Sequence, residues 1–275
     1  MFKSFCHLLV LACLQPLSLQ AFEALRVSVS IPPQQYLLER IGEDLVDVQV
    51  MLKPGDSAES FDPTLKQISA LNNTQIYFRI GIPFEDKWIG SLQKNNTSIK
   101  IVACCQDIVE SRSISLDSHI WTSPRNLQLL AAVVKDILVS FAPEHHQIFE
   151  ENYSGLMRDL KKLDKEIQLA LKQRRTDYFI INHAALGHFA KDYGLTQLSL
   201  EREGKELGAR GLVRMIRQAR QEKIQTLFVH KQHPSTTATA FANEINADLI
   251  EIDPLHSDYL KNLRNISQLI ARATR

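Results

Sequence analysis

Residues 144–172 contain no proline and one glycine, Gly155, and their apolar positions Leu156, Leu160, Leu163, Ile167 and Leu171 recur at steps of three and four. That spacing stacks the five side chains on one face of an α-helix. With about 1.5 Å of rise per residue, the helix runs for roughly seven turns. It exceeds an ordinary core helix and suits a strut between two lobes.

On both sides of this strut the chain alternates short apolar runs with amphipathic segments. Before it, 25–31, 45–52, 75–80 and 98–103 read as strands, with helices over 34–41, 64–71 and 125–141. Pro32-Pro33 stops the first strand, and Pro54-Gly55 the second. After the strut, strands are expected at 177–181, 195–200, 226–229 and 249–252, with helices at 184–193, 207–221, 234–245 and 258–273. Pro234 suits a first helical turn. Strands separated by helices are the pattern of a mostly parallel sheet. The expected fold is therefore α/β, with two lobes, each a mostly parallel sheet flanked by helices, joined by one long rigid helix. The divisions are 22–143 for the first lobe, 144–174 for the connecting helix and 175–275 for the second.

Residues 1–21 precede this pattern and read as a cleaved export signal. Lys3 opens the segment, an apolar run follows from Phe5 to Leu14, and Ala21 offers a small residue for cleavage. The apolar run is too short to span a bilayer permanently. Val10-Leu11-Ala12-Cys13 is similar to a lipobox, but apolar sequence continues beyond Cys13. An exported protein of a bacterial-style envelope, periplasmic in location, is the expectation. Lys3 is the one charged residue of the signal, so the remainder carries 31 basic and 31 acidic residues. That balance argues against a nucleic-acid partner. The remaining cysteines are the adjacent pair Cys104-Cys105, too few for a disulfide scaffold.

In open α/β sheets, ligands bind beyond the carboxyl ends of the strands. Four residues capable of metal chemistry fall there: Glu59 after the second strand, His119 in the 117–124 loop, His183 after 177–181 and Asp253 after 249–252. Each has a plainer role open to it, as a loop acid, a helix cap or a packed ring. Together they offer two imidazoles and two carboxylates, which suits one Zn2+, Mn2+ or Fe2+ ion.

These residues sit in four ordered blocks. Residues 117–124 (DSHIWTSP), 182–194 (NHAALGHFAKDYG), 54–63 (PGDSAESFDP) and 252–255 (IDPL) resemble the blocks of the TroA-like metal-receptor family that serves zinc and manganese ABC importers. The resemblance implies two α/β lobes bridged by a rigid helix, with one metal ion held between them. It also implies delivery to an ABC permease powered by a separate ATPase subunit, and action as a monomer. Carried over by position, the ligands are His119, His183 and Asp253. The family's first-lobe histidine falls on Glu59, a harder donor, which would move preference from Zn2+ toward Mn2+ or Fe2+. The histidine-rich loop of many zinc-type members has no counterpart, since 103–118 holds no histidine.

The other histidines receive plainer readings. His145 and His146 open the strut and are expected in solvent. His188 is expected to pack, His230 or His233 to be an auxiliary ligand at most, and His256 an outer partner of Asp253. Two alternatives compete with the receptor reading: a metal-dependent hydrolase, and a surface adhesin with a structural metal. The sequence contains no HExxH, nucleophile elbow or phosphate-binding glycine loop to support catalysis.

Overall fold

A computed structural model describes residues 23–104, 117–202 and 205–275. Residues 1–21, expected to be an export signal and containing Cys13, lie outside the described residues, as does Cys105.

The first lobe is built on β1 (Leu25–Val29), β2 (Val46–Val50), β3 (Ile76–Arg79) and β4 (Lys100–Ala103), all parallel in the order β2-β1-β3-β4. Helices α1 (Pro32–Gly42), α2 (Leu65–Ala70), α3 (Pro83–Asn95) and α4 (Pro124–Phe141) belong to this half. Pro32 and Pro33 do more than stop β1. They occupy the first turn of α1, where a backbone N–H has no intrahelical acceptor and its absence costs nothing. Helix α3 escaped the periodicity reading, although Phe84, Trp88 and Leu92 recur every fourth residue and are buried. Its entry is fixed by Gly81 at φ 92° and by the buried Glu85 carboxylate. That carboxylate accepts from the Ile80 and Gly81 amides at 2.9 and 2.8 Å.

The connecting helix α5 (His146–Ala170) is flanked by 3-10 turns over Pro143–His145 and Leu171–Gln173. Its buried face, Phe149, Leu156, Leu160, Leu163 and Ile167, contains four of the five residues of the sequence stripe. Leu171, the fifth, is buried in the following turn. The helix packs on α1 and α4 of the first lobe and on α9 (Tyr259–Ala273) of the second. One continuous apolar core consequently runs from Leu25 through α5 to Ala271.

The second lobe repeats the parallel arrangement with β5 (Tyr178–Ile181), β6 (Thr196–Ser199), β9 (Thr226–His230) and β10 (Asp248–Ile252), ordered β10-β9-β5-β6. Helices α6 (Gly187–Asp192), α7 (Ala209–Gln221) and α8 (Thr236–Ile245) complete it. A short antiparallel hairpin, β7 (Glu201–Arg202) with β8 (Lys205–Glu206), was not expected from the pattern. Pro234 lies before α8 rather than inside it. Ser235 is the cap there, its hydroxyl accepting from the Ala238 amide. Within each sheet all carboxyl ends point the same way, and the loops leaving β2, β5 and β9 meet residues 117–119 between the lobes. Among the described residues no helix is long and apolar enough to cross a membrane.

Candidate metal centre

Three of the four expected ligands meet at this convergence. Glu59, from the loop after β2, places Oε1 3.0 Å from His119 Nε2 and 3.0 Å from His183 Nε2. The two imidazole nitrogens are 3.4 Å apart. A tetrahedral ion with bonds of about 2.0 Å needs donors about 3.3 Å apart, so this triangle is already near the spacing of three zinc-type ligands. Glu59 and His119 belong to the first lobe and His183 to the second. The site therefore exists only while the lobes are together.

The far nitrogen of each histidine is held. His119 Nδ1 donates to Asp117 Oδ1 at 2.8 Å, and that oxygen also accepts from the His119 amide at 2.9 Å. His183 Nδ1 donates to Glu201 Oε2 at 2.7 Å. A carboxylate on Nδ1 fixes the tautomer that leaves Nε2 as the donor to a metal and makes that donor more basic. Asp117 is positioned from the second lobe: His188 Nε2 donates to its carbonyl at 2.9 Å, while His188 Nδ1 accepts from Asn126 at 3.1 Å. His188 is fully buried, so the packing role expected for it includes tying the lobes together.

The site is partly shielded, with His119 and His183 each 7% exposed and 33% of the Glu59 side chain open to solvent. Burial lowers the pKa of His119, but hydrogen bonds and charge from Asp117 and Glu59 outweigh it and raise the value to about 9. His183 is raised too: burial opposes this, and Glu59 and Glu201 overcome it. Burial of Glu59 favours its neutral acid, yet hydrogen bonds from His119, His183 and His233 hold it well below the usual carboxylate range. A carboxylate encircled by imidazoles has the charge pattern of a cation site in which protons stand in for the metal.

Asp253, the fourth expected ligand, stands outside both groups of mutually close donors. Its Oδ1 accepts from Gln232 Nε2 at 2.8 Å and from the Leu255 amide at 3.1 Å, a turn-fixing arrangement. The cause is strand order. Strand β9 lies between β5 and β10, so the loop after β10 is one further strand step, about 4.8 Å, from His183. The loop after β9 is nearer and brings His233 Nε2 to 2.7 Å from Glu59 Oε2, beside the Glu59–His119–His183 triangle and grouped with His183 and Glu201. His230 is buried and meets the His183 ring edge to face at 5.5 Å. Burial, followed by the neighbouring imidazoles, pushes its pKa well below the ordinary value and keeps it neutral. His256 accepts from the Asp258 amide and is exposed. His146 is exposed, and His145 sits half-buried against Phe149.

The family model for the periplasmic zinc-uptake complex component A, ZnuA, matches residues 27–273. The chain belongs to this family. A crystal structure of ZnuA is 32% identical and superposes with a TM-score of 0.87, covering 92% of this chain and all of the other. A Chlamydia trachomatis serovar D protein, provisionally named as metal-binding, is 28% identical over 254 residues, 90% of each chain. The zinc-binding protein AdcA of Streptococcus pyogenes serotype M18 is 22% identical over 267 residues. That match covers 86% of this chain and 52% of AdcA, so the chain spans about half of that relative's length. Within the ZnuA family frame, sequence reasoning left Asp117, Asn182 and Glu201 unassigned. Asp117 had a local signal, since a carboxylate two residues before a histidine reaches its Nδ1. Glu201 had none, because a hairpin outside the strand–helix rhythm delivers it.

Proposed function

We propose that the chain is an extracytoplasmic receptor that captures one divalent transition-metal ion between its lobes and passes it to an ABC importer with a separate ATPase subunit. The observation that carries this reading is the Glu59–His119–His183 triangle, drawn from both lobes and spaced for one ion. Family membership and the names of zinc-binding relatives support zinc as the cargo. They also support a role in binding rather than catalysis, and a periplasmic location. Asp117 and Glu201 hold the two imidazoles with Nε2 facing inward. Glu59 supplies negative charge, so a dication entering the site replaces protons instead of meeting a neutral cavity. Release follows from the division of ligands, because separation of the lobes takes His183 away from Glu59 and His119 together.

The test is metal analysis of the purified, dialysed mature protein beside Glu59→Ala, His119→Ala and His183→Ala. One ion per wild-type chain, lost from the histidine variants, is expected. Retention of the ion by all three variants would remove the site.

A further inference from the structure

The two oxygens of the Glu59 carboxylate have different surroundings. We infer that His233, with Ser57, is a positioning residue that holds Glu59 to one-oxygen coordination and thereby favours a four-coordinate ion such as Zn2+ over Mn2+ or Fe2+. The assignment rests on the receptor reading and specifies how that site selects its cargo.

A carboxylate oxygen offers two lone-pair positions. Those of Oε1 face the two groups that become ligands, His119 Nε2 and His183 Nε2, each at 3.0 Å, and an ion takes the place of their protons. Oε2 accepts from Ser57 Oγ at 2.9 Å and from His233 Nε2 at 2.7 Å. Neither of these donors has to give up its proton when metal enters. With both positions of Oε2 filled, Oε1 alone is left for the ion.

His233 itself is kept off the metal. Its ring lies 4.0 Å from the His183 ring, centroid to centroid, with 5° between the planes. An imidazole lone pair lies in the ring plane, so two stacked rings direct theirs in separate planes and do not share an ion. The grouping of close donors agrees: Glu59, His119 and His183 form one group, and His233 falls in another with His183 and Glu201. In that second group Glu201 already engages His183 Nδ1 at 2.7 Å. The group His233 does reach is the first-lobe carboxylate, which it holds from the second lobe.

Both arms of this clasp are braced. Asn182, 1% exposed, immediately precedes His183 and spans the 230–233 turn with its side chain. Its Oδ1 accepts from the His230 amide at 2.8 Å, and its Nδ2 donates to the His233 carbonyl at 2.5 Å. On the first-lobe side, Ser57 Oγ accepts from the Glu59 amide at 3.3 Å and lies 3.2 Å from His233 Nε2.

The clasp sets the donor count. Two imidazoles and a one-oxygen carboxylate make three protein donors, the number found in open four-coordinate zinc sites. A two-oxygen Glu59 would raise both the oxygen share and the coordination number, toward the octahedral oxygen-rich geometry of Mn2+. His233 and Ser57 thus offset the drift toward Mn2+ or Fe2+ that a carboxylate at position 59 introduces.

The experiment measures Zn2+ and Mn2+ affinities by chelator competition, with Co2+ absorption spectra, on the mature chain, His233→Ala, His233→Gln, the Ser57→Ala, His233→Ala double variant and His119→Ala. Loss of an outer partner costs roughly 10–100-fold, so His233→Ala should weaken zinc binding by that factor and leave Mn2+ affinity unchanged or higher. The zinc-over-manganese ratio should therefore fall about tenfold or more. In the double variant the fall should be larger, and the Co2+ bands should lose intensity as the coordination number rises above four. His233→Gln keeps an N–H donor near the position of Nε2 and should restore the ratio and the spectrum, a rescue that a merely space-filling role would not give. An unchanged ratio and spectrum in the double variant overturn the assignment, as does a failure of His233→Gln to restore them. If His119→Ala abolishes zinc binding in either case, the receptor reading stands and only the clasp is wrong. If His119→Ala binds zinc normally, both fall.

Discussion

Zinc binding should expel protons at a pH where ordinary histidines have few to give. In the apoprotein His119 titrates at about 9, because Asp117 and Glu59 overcome the effect of burial. At pH 7.5 a group with that pKa is about 97% protonated, whereas an unperturbed histidine at about 6.5 is about 9% protonated. A metal ligand must be neutral, so loading the site at pH 7.5 is expected to release close to one proton from His119. His183 adds a further share, since its pKa is also raised. Raising the pH removes the competing proton, so apparent affinity should increase about tenfold per pH unit per proton up to about pH 9. Calorimetric titration in buffers of different ionisation enthalpy gives the proton count directly. Asp117→Asn removes the charged partner of Nδ1 and should lower that count. A wild-type count near zero at pH 7.5 would refute the electrostatic account of the site.

The same linkage acts on the empty protein. A histidine whose folded pKa is raised stabilises the fold fully below about 6.5, and the contribution disappears as pH rises through 9; for His119 it amounts to about 3 kcal/mol. The melting temperature of the apoprotein should accordingly fall between pH 7 and 10, and a flat profile there would contradict the assignment. Gly187→Ala places a methyl group where Asp117 Oδ2 stands, turning that carboxylate away from His119. Zinc affinity should drop roughly 10–100-fold with the melting temperature little changed, and unaltered affinity would deny Asp117 its orienting role. Asn182→Ala strips partners from the His230 amide and the His233 carbonyl. It should destabilise the fold by about 2 kcal/mol or more, read by thermal or denaturant unfolding.

Elements whose burial imposes a strict period were legible in the sequence. The strut shows this best, since its stripe from Leu156 to Leu171 meets α1, α4 and α9 along one side. The eight strands of the two parallel sheets were legible for the same reason, their apolar runs being short and bounded by prolines, glycines or helices. Helix α3 was obscured by Gly90 and by charged residues between its apolar positions. At the site, Glu59, His119 and His183 could be named because each falls in one of the four ordered blocks that resemble the TroA-like family, and His183 also directly follows a strand. That His233 and not Asp253 comes within reach of Glu59 was not legible, because it depends on β9 lying between β5 and β10. Strand order is a property of the assembled sheet, and no local pattern in either segment encodes it.

The central claim is that one ion bridges the lobes through imidazoles from both. Zinc K-edge X-ray absorption of the loaded mature protein addresses it most directly. Nitrogen and oxygen donors at about 2.0–2.1 Å are expected, with outer-shell carbon scattering from several imidazoles that falls when His119 or His183 is replaced by alanine. A zinc environment without imidazole scattering, or one left unchanged in the His119→Ala, His183→Ala double variant, would contradict it.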